Sequence, residues 1–253
     1  MKLFALGVIV FIALSESGEG HPTSFTIDGK GIENNVQIVG GDPVDIENYP
    51  YQVSVQSYGS HMCGGSLISP NRVLTAAHCT DGQSAGTLTV RAGSSYHIAG
   101  GQVLRVKNMP ASALRLSTYD LLESSFVLGP AVKTIALASS RPIAGTMGNV
   151  TGWGYLEPTG PISDQLQGVQ VPVVDQLQCL VAYVPLPITD TMMCAGYLGE
   201  GGKDACKGDS GGALVVGSAQ VGIVSWGKGC GYYRYPGVYT YVGSILEHIK
   251  NCE

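Results

Sequence analysis

The chain has 253 residues, 44% of them apolar, enough to fill the core of one large domain or of two small ones sharing an interface, which excludes a disordered chain. Charged residues make up only 13% while Gly reaches 36, a balance that suits a turn-rich all-β protein better than a helical one. With 14 Lys and Arg, no basic run and a net charge of -5, the chain would repel phosphate, so nucleic acid is excluded as a partner.

In chain order, Met1 and Lys2 precede twelve uncharged residues, Leu3 to Leu14, and then a stretch with Ser15, Ser17 and Gly18 where a signal peptidase could cut. Residues 1–17 are therefore expected to be a secretory signal peptide, and the mature protein to be extracellular. A membrane span needs about 20 apolar residues, and no stretch approaches that, so no membrane attachment is expected. Residues 18–37 are polar and Gly-rich, with neither strand alternation nor helical periodicity, and read as an activation pro-segment. From Ile38 onward short β-type runs recur between turn residues, at 51–56, 65–68, 87–91, 102–107, 132–137, 148–152, 167–174, 212–216, 221–225 and 237–241. Strands at this spacing, separated by Gly and Pro, indicate a sandwich or a barrel. Only 242–250 reads as a helix, with Ile245, Leu246 and Ile249 on one face. Asn149-Val150-Thr151 fits the glycosylation pattern but runs into a predicted strand, which favours the unmodified reading.

Seven cysteines follow the signal region: Cys63, Cys79, Cys179, Cys194, Cys206, Cys230 and Cys252. In an exported protein they should be oxidised, and the odd count leaves one without an intrachain partner, while spacing alone leaves the pairing open. No Cys-x-x-Cys and no His-x-x-x-His stands where a zinc site would need it, so neither metal nor cofactor is expected.

Gly208-Asp209-Ser210-Gly211-Gly212 is the most informative segment. A serine hydroxyl is a weak nucleophile, so hydrolysis needs a neighbouring base, and the developing oxyanion needs backbone N–H donors aimed at it. Flanking glycines let the backbone approach a substrate in conformations closed to other residues. The competing reading is an ordinary Gly-Asp-Ser turn. Thr75-Ala76-Ala77-His78-Cys79 supplies the candidate base, since an imidazole titrates near neutral pH and can take the Ser210 proton and return it to a leaving amine. His21, His61, His97 and His248 have no such context and read as structural or exposed.

These two segments in this order, with Ile38-Val39-Gly40-Gly41 ahead of them and Gly152-Trp153-Gly154 between, resemble the trypsin and chymotrypsin family of serine endopeptidases over residues 38–251. The resemblance implies an all-β peptidase domain over 38–253: two six-stranded antiparallel barrels, about 38–140 and 141–240, then a short C-terminal helix. It implies Ser210 as nucleophile, His78 as general base and acid, and the backbone N–H groups of Gly208 and Ser210 as the oxyanion hole. Ser225, Trp226 and Gly227 would pair with the substrate backbone. Cys63 with Cys79, Cys179 with Cys194, and Cys206 with Cys230 match the family's shared bridges. Asp204 matches the floor of the specificity pocket, where a Lys or Arg side chain supplies the counter-charge a buried carboxylate lacks, and Gly227 and Gly237 match its walls. The implied partners are proteins or peptides cleaved after Lys or Arg, and protein inhibitors; a monomer is expected. A cut before Ile38 would free an ammonium to pair with Asp209.

Two positions depart from the family pattern. Gln37 stands where most precursors carry Arg or Lys, so another protease processes this chain, or the segment is trimmed differently, or activation is impaired. The third catalytic residue matches only Asp120, in Tyr119-Asp120-Leu121-Leu122-Glu123, where two residues are missing after Asp120 and 109–118 fits poorly. The alternative reading is a weak or inactive homologue that binds protein partners through the same cleft. Cys252, near the end, reads as a free terminal thiol. Lys207, beside the oxyanion loop, reads as a rim charge.

Overall fold

The computed structural model describes residues 38–109, 118–157 and 160–251. The expected signal peptide, the pro-segment with Gln37, residues 110–117 and Cys252 lie outside the described residues. A two-residue strand, β1 (Asp42–Pro43), leads into six strands that close on themselves: β2 (Gln52–Ser57), β3 (Ser60–Ser69), β4 (Arg72–Thr75), β5 (Leu88–Ala92), β6 (Gln102–Asn108) and β7 (Thr118–Leu122). Their order around the barrel is β2-β3-β4-β7-β6-β5, every pair antiparallel. Period-two patterning sets the inside: along β5, Leu88, Val90 and Ala92 are buried while Thr89 and Arg91 are less so, and Val53, Val55, Leu67 and Val73 complete the core.

The second sheet contains β8 (Ala136–Leu137), β9 (Met147–Gly152), β10 (Gln167–Pro172), β11 (Met192–Ala195), β12 (Ala213–Val216), β13 (Ala219–Trp226) and β14 (Gly237–Tyr241). It runs β1-β10-β9-β12-β13-β14-β11, with β8 parallel to β13. The two-barrel expectation stands, with a difference in count. Six strands of four to eight residues form the body, and the two-residue strands β1 and β8 bring the total in this sheet to eight. The ends of β10 and β11 meet through Val174 N–H to the Cys194 carbonyl and Gly196 N–H to the Pro172 carbonyl, both 2.9 Å.

Among the described residues there are three α-helices where one helix is expected: α1 (Ala77–Thr80), α2 (Gln176–Tyr183) and α3 (Val242–Asn251). The first is a single turn. The second is capped by Asp175, whose carboxylate accepts the N–H groups of Leu177 and Gln178, but it buries only Cys179 and Tyr183 and leaves Leu177 and Val181 exposed. It therefore lacks the apolar stripe that marks a helix in sequence. The third buries Val242, Ile245 and Ile249 in the apolar cluster that contains the first-barrel core and Ile223 of β13.

Polar side chains tie the halves together. Ser66 Oγ donates to Gln220 Oε1 at 2.6 Å, and Thr151 Oγ1 donates to Gln52 Oε1 at 2.9 Å, all four residues being buried. This is why β2 is buried on both faces although its sequence alternates.

Candidate active site

The loop bearing Ser210 lies where the halves touch. Gly208 (φ +95°) and Gly211 (φ +85°) both adopt left-handed backbone, closed to most L-residues. A Cβ on Gly211 would strike the Thr75 hydroxyl and the Gly64 carbonyl, and would lie 3.0 Å from Ala76 N. The loop is thus pressed against the stretch that leads into His78. The Ser210 carbonyl accepts the N–H of Gly64 at 2.8 Å, and Gly211 N–H donates to Val224 O at 2.8 Å. His78 sits one residue from Cys79, whose sulfur is 3.6 Å from the Ser210 carbonyl. The residue is exposed, yet local desolvation lowers the pKa of its ring below the ordinary value. Its ring nitrogen is within 4.8 Å of the Cys63 and Cys79 sulfurs, which are spent on their disulfide.

The peptide linking Lys207 to Gly208 has a defined orientation. Tyr155 N–H donates to the Lys207 carbonyl at 2.7 Å, so in a trans peptide the Gly208 N–H points the opposite way. Among the described residues, neither that N–H nor the N–H of Ser210 has a partner within the protein. On the next peptide, the Gly208 carbonyl is held by His61 Nε2 at 3.0 Å. His61 Nδ1 lies 2.8 Å from Ser54 Oγ, which is consistent with one tautomer: Nε2–H donates to Gly208 and Nδ1 accepts from the serine. Desolvation, first, pushes the His61 pKa down to about 4, with the adjacent His97 acting in the same direction, so the ring is a neutral donor at working pH. His97 is buried, its ring centre 5.3 Å from that of His61, and its Nε2 is 3.4 Å from Asp164 without hydrogen-bond alignment. The sequence reading takes both histidines as structural or exposed and singles out neither for the site. His61 finds its partners 7 and 147 positions away, and nothing local marks such a pairing.

Asp209 is fully buried. Its carboxylate accepts Gly154 N–H at 2.8 Å and Cys206 N–H at 2.9 Å. A Cβ on Gly152 or Gly154 would collide with that carboxylate, which explains the glycines on either side of Trp153. Burial still raises its pKa to about 6, since two amide donors do not replace bulk water.

Beside Ser210 opens a cavity of about 270 Å³ whose lining includes Asp204, Ser210, Ser225, Trp226, Gly227 and Gly237. Asp204 is 3% exposed. One of its oxygens accepts Gly231 N–H at 3.0 Å and the other has no partner. Desolvation raises its pKa to about 7. Any side chain at Gly237 would run into this carboxylate. All three bridges form: Cys63–Cys79, Cys179–Cys194 and Cys206–Cys230, the last with both cysteines in the cavity wall. The backbone of Asp120 lies in β7 opposite Val73 of β4, five positions up the chain from His78. Ile38 opens the described chain in a short turn, Ile38–Gly40, and the carbonyl of the following Val39 accepts Asp204 N–H at 3.1 Å.

Two β-sheet halves, a glycine-flanked serine on a loop pressed against the stretch that leads into His78, and a cavity next to that serine belong to a serine endopeptidase. Comparison with known proteins gives the same class: the family model described as Trypsin matches residues 38–249. Trypsin delta of Drosophila erecta is 43% identical over 219 residues, covering 83% of this chain and 85% of that protein. Trypsin alpha of Drosophila melanogaster is 44% identical over 223 residues, covering 84% and 86% respectively. The chain belongs to the trypsin family.

Proposed function

We propose that this endopeptidase is exported as a precursor and, once its chain begins at Ile38, hydrolyses peptide bonds after Lys or Arg. The observation that carries the specificity is Asp204: a buried carboxylate, one of whose oxygens has no hydrogen-bond partner among the described residues, in the lining of the cavity that Ser210 also lines. Such a group is costly in an empty site, and a guanidinium or ammonium entering from a substrate removes the cost. No helix among the described residues is long and apolar enough to cross a membrane.

In the proposed reaction the substrate backbone lies along Ser225, Trp226 and Gly227. Ser210 Oγ attacks the carbonyl carbon as His78 accepts its proton, and the oxyanion is received by the free N–H groups of Gly208 and Ser210. His78 then protonates the leaving amine, and a water activated by His78 hydrolyses the acyl-enzyme. Asp120 is the proposed residue orienting His78. The new ammonium of Ile38 would pair with Asp209, a carboxylate whose pKa burial raises. Protein inhibitors that insert a Lys or Arg would use the same pocket.

Protein beginning at Ile38 should be labelled at Ser210 by an organophosphate and should cut peptides after Arg and Lys but not after Phe. Asp204→Ser should lose cleavage after Arg while keeping the label. A variant that still prefers Arg over Phe by a large factor would refute the pocket assignment, and absence of labelling would favour the non-catalytic reading.

A further inference from the structure

Two lysines, one lining the pocket and one next to its wall, are not used by the chemistry above. Lys207 lines the cavity next to Gly208, on the loop that holds Ser210. Lys228 lies between Gly227 and Gly229, both of which line it as well. Both lysines are exposed, and among the described residues neither is paired with a carboxylate.

Lys228 is not a loose surface lysine. Its ammonium donates to the Tyr235 hydroxyl at 3.1 Å and sits 4.5 Å from the centre of that ring. Tyr235 is packed 5.5 Å from Tyr183, and Tyr183 is packed edge-on to Trp226 at 4.9 Å. Tyr183 is itself buried, donates to the Pro236 carbonyl at 2.6 Å and hydrogen-bonds the backbone of Lys228. Contacts from Tyr235 through Tyr183 to Trp226 therefore link the ammonium to the pocket wall, and part of the entropy cost of ordering a lysine on binding is already met.

We propose that Lys207 and Lys228 form a cationic collar around the pocket mouth, selecting Lys or Arg sites that have Asp or Glu close by and rejecting sites with a second basic residue. The collar rests on the proposed Lys/Arg specificity. It splits the charge pattern of the site by depth: the buried carboxylate of Asp204 accepts one cation, and the two ammoniums above it repel another. The effect is local, because the whole chain is net negative at -5 and its long-range field would not gather acidic substrates.

The test is a set of otherwise identical peptides cut after a single Arg, with Glu, Gln or Lys at the two positions on either side of it. The expected order of kcat/KM is Glu over Gln over Lys, each step roughly three- to tenfold at low ionic strength, as exposed charge pairs allow. At about 0.5 M salt, where the Debye length is near 4 Å, the spread should shrink markedly. The double variant Lys207→Glu with Lys228→Glu should invert the order. Equal rates for the three peptides, or an order that survives charge reversal, would overturn the collar alone. Failure to cut after Arg in any peptide would overturn the proposed specificity, and the collar with it.

Discussion

Asp204 carries more of the chemistry than any other residue outside the Ser210 loop, because its charge depends on what fills the pocket. An unfolded aspartate loses its proton near pH 4, whereas this one holds it to about 7, so the native state binds the extra proton between those values. The empty protein therefore loses stability as pH rises from about 4 to about 7. Binding a cation requires the ionised form. The affinity of a small arylamidine for protein beginning at Ile38 should thus fall about tenfold for each pH unit below about 7, with proton release on binding at pH 6. Calorimetry in two buffers of different ionisation enthalpy would measure both, and a pH-independent affinity from 5 to 8 would contradict the raised pKa. Asp204, Ser210 and the pocket glycines were legible in the sequence because they lie in short, contiguous motifs. His61, its partner Ser54 and the amide donors to Asp209 were not: the Ser54 hydroxyl, the His61 ring and the Gly208 carbonyl meet only once the chain is folded, and the donors to Asp209 are backbone N–H groups that almost any residue type could supply.

At the scale of elements, the nucleophile loop depends on having no side chain at Gly211. Its Cβ position is already occupied by the Thr75 hydroxyl and the Gly64 carbonyl, and its φ of +85° adds backbone strain for any other residue. Gly211→Ala should cut kcat/KM by at least about a hundredfold through displacement of Ser210, a 1 Å misplacement being enough for that. Wild-type turnover in this variant, measured with a labelled active-site count, would show that the two barrels are less tightly joined than described. Long alternating strands such as β2 and β10 were readable from period-two patterning. The four-residue strands β4 and β11 were not, because so short a run carries too few alternations, and α2 was missed because its outward face is apolar. Residues 132–137 read as one strand, but only Ala136–Leu137 forms a strand, while Val132 makes an isolated bridge to Gly129. Upstream, Lys133 and Ile135 reach across instead to the carbonyls of Pro50 and Leu67.

At the scale of the molecule, the join between the halves includes buried polar contacts alongside apolar ones. Gln220 accepts from Ser66 and donates to the Gly222 carbonyl at 3.1 Å, so truncating it strands a hydroxyl in the interior. Gln220→Ala should cost about 1 to 3 kcal/mol, read as a lower midpoint in denaturant, with unfolding still a single transition. Two separated transitions would mean that the halves are held together by something other than this contact. The two-barrel plan itself was legible only through the resemblance carried by the motifs around His78 and Ser210, since strand spacing alone permits either a sandwich or a barrel.

The amide bond from Gly64 to Ser210 has a further meaning for how this molecule can change. The reactive loop is clamped by its neighbour's backbone, so neither half, produced in isolation, would own a finished centre. Insertions and deletions are free to accumulate on the outer rims, but the seam between the halves must be inherited as one piece.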